Sequence, residues 1–260
     1  MKRLTWILLL GICGIAHADG AQKVLECMRG NLPPTLRLQD FELTTTEPDA
    51  DVHVLRGRLY GLSEKEADTN HVRVMLHVKE PASLAGSAFL LREATGARDQ
   101  GMYVYLPSVR RVRRVTGEFA DGALLGSAFN YQDFKQLQNA FEGLASTQEA
   151  AEVLEKRPVH VLSFKPLPGS PSAYSRIRSW VDQQTCVPLK VEFYQQKTLR
   201  KQLIVPVAAL QHSNQYWYAT EATIRDLKEG RSSQLKVLKV ESGGKVSKNY
   251  FDPGLFYLGG

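Results

Sequence analysis

Cysteine is scarce in this 260-residue chain: three in all, one of which, Cys13, lies in the leading apolar stretch. That excludes a disulfide-dense small scaffold. Long apolar runs are scarcer still. Beyond residues 4–15 none approaches the length a helix needs to cross a bilayer. No Gly/Ser-rich or Pro-rich linker divides the chain; the only candidate, KPLPGSPSAYS at 165–175, is short and flanked by strand-like runs, so residues 19–260 read as one domain. Catalytic signatures are missing as well: there is no Gly-x-Ser-x-Gly elbow, no Gly-rich phosphate loop, no Cys-x-x-Cys and no His-Glu-x-x-His. GSAF occurs at 86–89 and again at 126–129, without the strand-turn-helix grammar or the paired base of a nucleophile. His71 and His77 share a parity on one strand-like run, but no carboxylate or thiol cluster accompanies them, so no metal site is expected. The expectation is therefore a protein that is not an enzyme, with no catalytic residues, no metal and no cofactor.

What is present begins with export. Residues 1–20, MKRLTWILLLGICGIAHADG, place Lys2 and Arg3 before the apolar run and the small-x-small triplet Ala16-His17-Ala18 after it. This layout predicts a secretory signal peptide over residues 1–18, cut after Ala18. Cys13 follows Ile12 inside the apolar run rather than a small residue at the cleavage site, so a lipid-anchored N terminus is not expected and the mature protein reads as soluble. Removing Lys2 and Arg3 takes the formal charge from +6 to +4, because residues 1–18 hold no Asp or Glu. A mildly basic exported protein is compatible with anionic lipid head groups. Cleavage leaves Cys27 and Cys186. An even pair in an oxidising compartment favours a disulfide between the first helix and a distant strand, worth up to roughly 5 kcal/mol on chain-entropy grounds; two buried free thiols are the alternative.

Period two dominates the rest. In HVRVMLHVKE at 71–80, Val72, Val74, Leu76 and Val78 alternate with polar residues, interrupted only by Met75. About ten similar runs are separated by turn signals without helical crossovers, which means antiparallel pairing. Leu36 and Leu38 fall on one parity and Phe41 and Leu43 on the other, which predicts a bulge at Gln39-Asp40. Three segments read as helices: DGAQKVLECMRG after a cap at Asp19, residues 130–144 through Phe134, Leu137, Phe141 and Leu144, and a short one within residues 147–156. So few helices cannot cover both faces of such a sheet. The expected fold is mostly β: a single, strongly curved antiparallel sheet whose concave face is covered by the helices.

LPSVRRVRRV at 106–115 places Arg110, Arg111, Arg113 and Arg114 within five positions, while Val109, Val112 and Val115 recur every third residue. The strand carrying MYVYLP must bulge or turn near Pro107. Nucleic acid is excluded by export and by the lack of a groove-reading or stacking motif. Two readings remain for the arginines: a solvated basic strand end, or a basic rim beside an apolar hollow that contacts lipid phosphates or an acidic partner surface.

SWVDQQTCVPLKVEFYQQ at 179–196, with Trp-x-Asp followed by Pro-x-Lys-x-Glu-x-Tyr, resembles periplasmic lipoprotein-sorting proteins of the LolA type. MYVYLPSVRRVRRVTGEFADGALLGSAFNYQDF at 102–134 and the closing YFDPGLFYLGG resemble a LolA-like branch associated with RND/MMPL-type exporters. The resemblance implies a half-open barrel with a helical lid over an apolar cavity that shields acyl chains. It further implies a periplasmic carrier that binds lipoprotein acyl chains or another lipid and shuttles them between the inner and outer membranes, with an inner-membrane RND/MMPL-type exporter as partner. A lipid-sensing regulator or an exporter accessory protein of the same fold is the alternative. On this reading the cavity wall comprises Leu36, Leu38, Val74, Leu76, Val104, Leu106, Val191 and Phe193. The lid carries Phe129, Phe134 and Phe141, and Arg110, Arg111, Arg113 and Arg114 contact head groups or a partner. The mature chain is longer than the classical carrier, and the arginine-bearing segment is a departure from it.

Overall fold

A computed structural model of the protein describes residues 15–259 apart from 67–68, 94–99, 171, 246 and 248. Most of the expected signal peptide, residues 1–14 with Cys13, lies outside the described residues. The first helix, α1 (Ile15–Arg29), starts before Asp19, so Asp19 lies within the helix rather than capping it. Then come β1 (Leu36–Thr46), β2 (Val52–Glu66), β3 (Thr69–Glu80), β4 (Ala88–Arg92), β5 (Gly101–Leu106) and β6 (Arg111–Arg114). Two 3-10 turns (Gly117–Asp121 and Leu124–Gly126) lead to α2 (Tyr131–Gln138). After it run β7 (Leu144–Gln148), β8 (Glu152–Leu154), β9 (Arg157–Pro166), β10 (Arg176–Asp182), β11 (Pro188–Gln195) and β12 (Thr198–Ile204). The chain finishes with β13 (Leu210–Ser213), β14 (Tyr216–Ala219), β15 (Glu221–Asp226), β16 (Arg231–Gly244) and a 3-10 turn at Phe256–Leu258.

Fourteen of these strands form one antiparallel sheet in the order β6-β5-β4-β3-β2-β1-β16-β15-β12-β11-β10-β9-β7, with β8 also paired to β9. The sheet is not closed: β6 and β7 are its two edges. That order explains the lid. Strands β1 to β6 follow one another by hairpins toward one edge, and the next strand, β7, lies at the opposite edge. The connection between them, residues 115–143, must cross the sheet, and it crosses the concave face. There Leu124, Tyr131 and Phe134 pack against Phe41, Val74, Phe89 and Val104. On the other half of the same face, Ala21, Val24 and Leu25 of α1 pack with Phe141, Leu162, Val191 and Phe193. Cys27 of α1 is joined by a disulfide to Cys186, with 5.8 Å between their Cα atoms. Cys186 lies in the turn between β10 and β11, at φ 55°, rather than in a strand.

Two helical expectations are corrected. The segment 130–144 is helical only over Tyr131–Gln138, because Ala140, Phe141 and Gly143 adopt left-handed conformations that bend the chain out of the helix. The bend presses the Phe141 ring onto Phe164, centroids 4.4 Å apart. Residues 147–156 form no helix; they belong to β7, β8 and the hairpin turn at Glu155-Lys156, where both residues have positive φ, as a type I′ turn requires.

The expected bulge is also displaced. Pairing of β1 with β2 is unbroken from Arg37↔Gly61 to Thr46↔Val52. The pairing with β16 shifts twice, between Leu36 and Arg37 and between Asp40 and Phe41, and at the second shift the extra residue is Leu238 of β16. With β1 regular, Leu36 and Leu38 point to the outer face and Phe41 and Leu43 to the concave one. The outer face of this half is dry as well. Leu36, Met75, Leu90 and Tyr103 pack there beneath Phe251 and Phe256 of the C-terminal segment. Tyr257 stacks on Tyr105 at 4.1 Å. This second dry face is why Met75 breaks the alternation of β3 and why Ala88, Phe89, Leu90 and Leu91 of β4 are all buried.

Candidate functional site

Between the two covered halves the concave face keeps a hollow of about 270 Å³, near the lower end of the ~300–1,000 Å³ typical of small-molecule sites. Its floor comes from β1 (Phe41, Leu43), β2 (Leu59), β3 (Leu76), β15 (Ala222) and β16 (Leu235, Val237). Leu203 of β12 and Val205 just beyond it, with Val187 and Pro188, form one wall, and Leu124, Phe129, Phe134 and Leu137 form the roof. Gly57 lets the floor close. A Cβ there would stand 2.5 Å from the His77 carbonyl and 2.9 Å from the Phe41 ring, so only glycine lets Phe41 lie flat across β2.

The sequence-predicted residues distribute over this site and its surroundings. Leu76, Phe129 and Phe134 line the hollow. Val74 and Val104 are buried on the same face beside it, with Leu106 partly buried against them. Val191 and Phe193 are buried in the core beneath α1, as is Phe141. Leu36 and Leu38 are outside the hollow, on the outer face, for the parity reason given above.

The roof is fastened by polar groups that face a dry interior. The Ala128 amide donates to Ser233 Oγ at 2.9 Å, and its carbonyl accepts from Lys201 Nζ at 2.8 Å. Lys201 also contacts Asp133 Oδ2 at 2.7 Å, and both side chains are almost fully buried, at 5% and 0% exposure. Asp133 in turn accepts from the Tyr174 hydroxyl at 2.6 Å and closes a capping box with Asn130 at the start of α2. Burial, followed by the neighbouring Asp133, holds the Tyr174 hydroxyl well above the usual phenol range. One residue of the lid, Ala128, is thus pegged to β16 and β12 together.

The Trp-x-Asp motif has a structural explanation here. Asp182 accepts two hydrogen bonds from Arg157, at 2.8 and 2.6 Å, and two from Thr185, through its amide and its hydroxyl, at 2.9 and 2.7 Å. Burial pushes its carboxyl up, but these bonds outweigh burial and the net shift is downward. They fix the turn that presents Val187 and Pro188 to the hollow and Cys186 to α1. Trp180 covers the outer face of β10, donating to Glu152 at 2.8 Å between the cations of Arg178 and Lys190.

The arginine run lies at the rim of the sheet. Arg110 is in the turn after Pro107, and β6, which carries the other three, is an edge strand. Register places Arg111 and Arg113 opposite Leu106 and Val104 on the concave side, and Arg114 opposite Tyr103 on the outer side. All four are exposed. Arg114 lies over the Tyr103 ring, whereas Arg110, Arg111 and Arg113 have no salt bridge among the described residues.

Lys201, Asp133 and Arg37 escape sequence reasoning. A signal for Lys201 exists: it sits between Leu199 and Leu203 on the dry parity of β12, where a lysine is out of place unless paired. Among the described residues no group of three or more His, Cys, Asp or Glu is placed to hold a metal ion, and no helix is long and apolar enough to cross a membrane.

Residues 70–255 match a family model described as an "Uncharacterized protein"-like family. No curated protein matches the chain in sequence. Three solved structures share the fold. A DUF1329 family protein from Desulfovibrio piger has a TM-score of 0.79 at 18% identity, covering 90% of this chain and 97% of that one. A domain from Vibrio parahaemolyticus assigned to outer membrane lipoprotein sorting has a TM-score of 0.78 at 23% identity, over 92% and 99%. A LolA superfamily protein from Nitrosomonas europaea has a TM-score of 0.67 at 21% identity, over 89% and 96%. With the family model spanning well over half its length, the chain belongs to that family, and its open sheet and roofed concave face give it a LolA-like fold.

Proposed function

We propose that this protein is a periplasmic carrier which takes the acyl chain of a lipoprotein or of another lipid into the concave hollow and passes it between the inner and outer membranes. The observation that carries the proposal is the hollow itself: an apolar space left unfilled between two well-packed halves and roofed by a crossing segment instead of by sheet. Burying a methylene is worth about 0.8 kcal/mol, so an ordinary acyl chain exposed to water costs on the order of 10 kcal/mol, and a protein that crosses an aqueous compartment with it must hide it. Carriage of this kind needs no covalent step, and the proposal is of a protein that is not an enzyme. Transfer between the two membranes and partnership with an inner-membrane RND/MMPL-type exporter are supported by the sequence resemblance, and export by a signal peptide is supported by the layout of residues 1–18. The exposed Arg110, Arg111 and Arg113 supply a surface for transient contact with anionic head groups. Donor vesicles holding a pyrene-labelled phospholipid, mixed with unlabelled acceptor vesicles, test the proposal. Transfer should rise in proportion to protein concentration; a rate that stays at the protein-free level throughout the titration contradicts it.

A further inference from the structure

Among the described residues one cation faces the hollow, and no acid does. Arg37 of β1 is on the concave parity and lines the hollow beside Gln39, Val187, Pro188 and Tyr218, and none of the lining residues is Asp or Glu. Its recorded partners are neutral: Nη1 donates to the Asn31 carbonyl at 3.0 Å, and the guanidinium lies 6.0 Å from the Tyr218 ring centroid. Nε is sealed from solvent with no acceptor. No carboxylate forms a salt bridge with Arg37 among the described residues, unlike Arg56, Arg58, Arg157, Arg178 and Arg200 elsewhere in the sheet. Burial lowers the guanidinium to about 10, the direction expected of a charge taken out of water without a counter-ion. The surroundings are rigidly held as well. Asn31 donates to the Thr185 carbonyl at 2.8 Å and accepts from the Trp217 amide at 3.0 Å, tying the end of α1, the disulfide-bearing turn and β14 together around Arg37.

A planar cation with free donors, half-buried at the wall of an apolar space, fits an anion that arrives attached to something apolar. We infer that Arg37 receives the acid group of an anionic acyl lipid, carboxylate or phosphodiester, whose chain occupies the hollow. The inference rests on the carrier reading and narrows it: a neutral acylated group gains nothing from Arg37, whereas a fatty acid or an acidic phospholipid leaves no charge unpaired.

The test is displacement of Nile red, a neutral apolar probe, by three twelve-carbon ligands: dodecanoate, lauroyl-lysophosphatidylglycerol and dodecanol. At least one of the two acids should bind about tenfold or more tighter than dodecanol, the size expected of a hydrogen bond to a charged group. The tighter acid identifies the source as free fatty acid or phospholipid. Arg37→Gln should reduce that preference to within about twofold, and Arg37→Lys should retain most of it. Dodecanol binding the wild type as tightly as both acids would overturn the inference and leave the carrier reading standing, and an undiminished acid preference in a folded Arg37→Gln protein would do the same. If the hollow takes up neither Nile red nor any of the three ligands, the carrier reading fails and the inference with it. The acid-to-alcohol comparison on the wild type decides the question even if Arg37→Gln does not fold.

Discussion

At the scale of single residues, Lys201 and Asp133 are the most exposed to experiment. Breaking a buried ion pair by removing one partner leaves the other charge stranded, at a cost of about 3–5 kcal/mol. Lys201→Met should therefore lower stability by about that much in urea denaturation, because Asp133 has no exposure through which to rehydrate. A loss below ~1 kcal/mol would mean that the lid peg contributes little. A surface carboxylate gives a contrasting prediction. Hydrogen bonds from Arg58, ahead of the opposing effect of burial, bring Asp40 from 3.8 down to about 2. A depressed folded value means that the contribution of Asp40 is complete above its unfolded value and is lost as pH falls toward 2. Asp40→Asn should flatten the stability profile over that acid range, with the loss largest at neutral pH, where the contribution of Asp40 is complete, and shrinking as pH falls toward 2; an unaltered acid limb would show that the pair is solvent-screened. Individual residues were also the least legible from sequence. Parity separated Leu36 from Phe41 correctly in kind, but which parity faces the hollow depends on the partner strands. Arg37 looked like an ordinary polar residue of an alternating strand. Only the absence of acids around it, a property of several distant segments, makes it distinctive.

Elements were legible where one face is dry and the other wet. The alternation of β3 and the antiparallel hairpins followed from period two, and the break near Pro107 was visible as an interruption, whereas Cys186, expected in a strand, lies in the turn after β10. Helix length was not. The apolar spacing of Phe134, Leu137, Phe141 and Leu144 suits a helix, yet tertiary packing of Phe141 on Phe164 stops it after Gln138. The outer-face contacts of the C-terminal segment were hidden for a related reason: a strand buried on both sides reads as a plain apolar run. The arginine-bearing edge supplies a prediction at this scale. Arg110→Ser, Arg111→Ser and Arg113→Ser combined should weaken adsorption to phosphatidylglycerol vesicles by roughly 1 kcal/mol per residue at low salt, with the melting temperature nearly unchanged because these side chains form no salt bridges among the described residues. A large drop in melting temperature would make them structural, and adsorption that ignores salt would remove electrostatics from the account.

For the whole molecule, the sheet order joins fold to function. The hairpins carry the chain from the sheet centre to one edge, and reaching the other edge forces a crossing segment over the concave face. A covered hollow is thus a consequence of topology, and the side chains decide only whether it is filled. The described residues leave it unfilled, apolar and pegged shut at Ala128 by Ser233 and Lys201. Native mass spectrometry of the protein prepared without detergent and incubated with a phospholipid and fatty-acid mixture tests whether this hollow holds an acyl chain. The wild type should carry one lipid-sized mass adduct, and Ala222→Phe, which fills the hollow from its floor, should lose the adduct while keeping the wild-type circular dichroism spectrum. A wild type that stays free of adducts, or an Ala222→Phe protein that binds lipid as well as the wild type, would contradict the account.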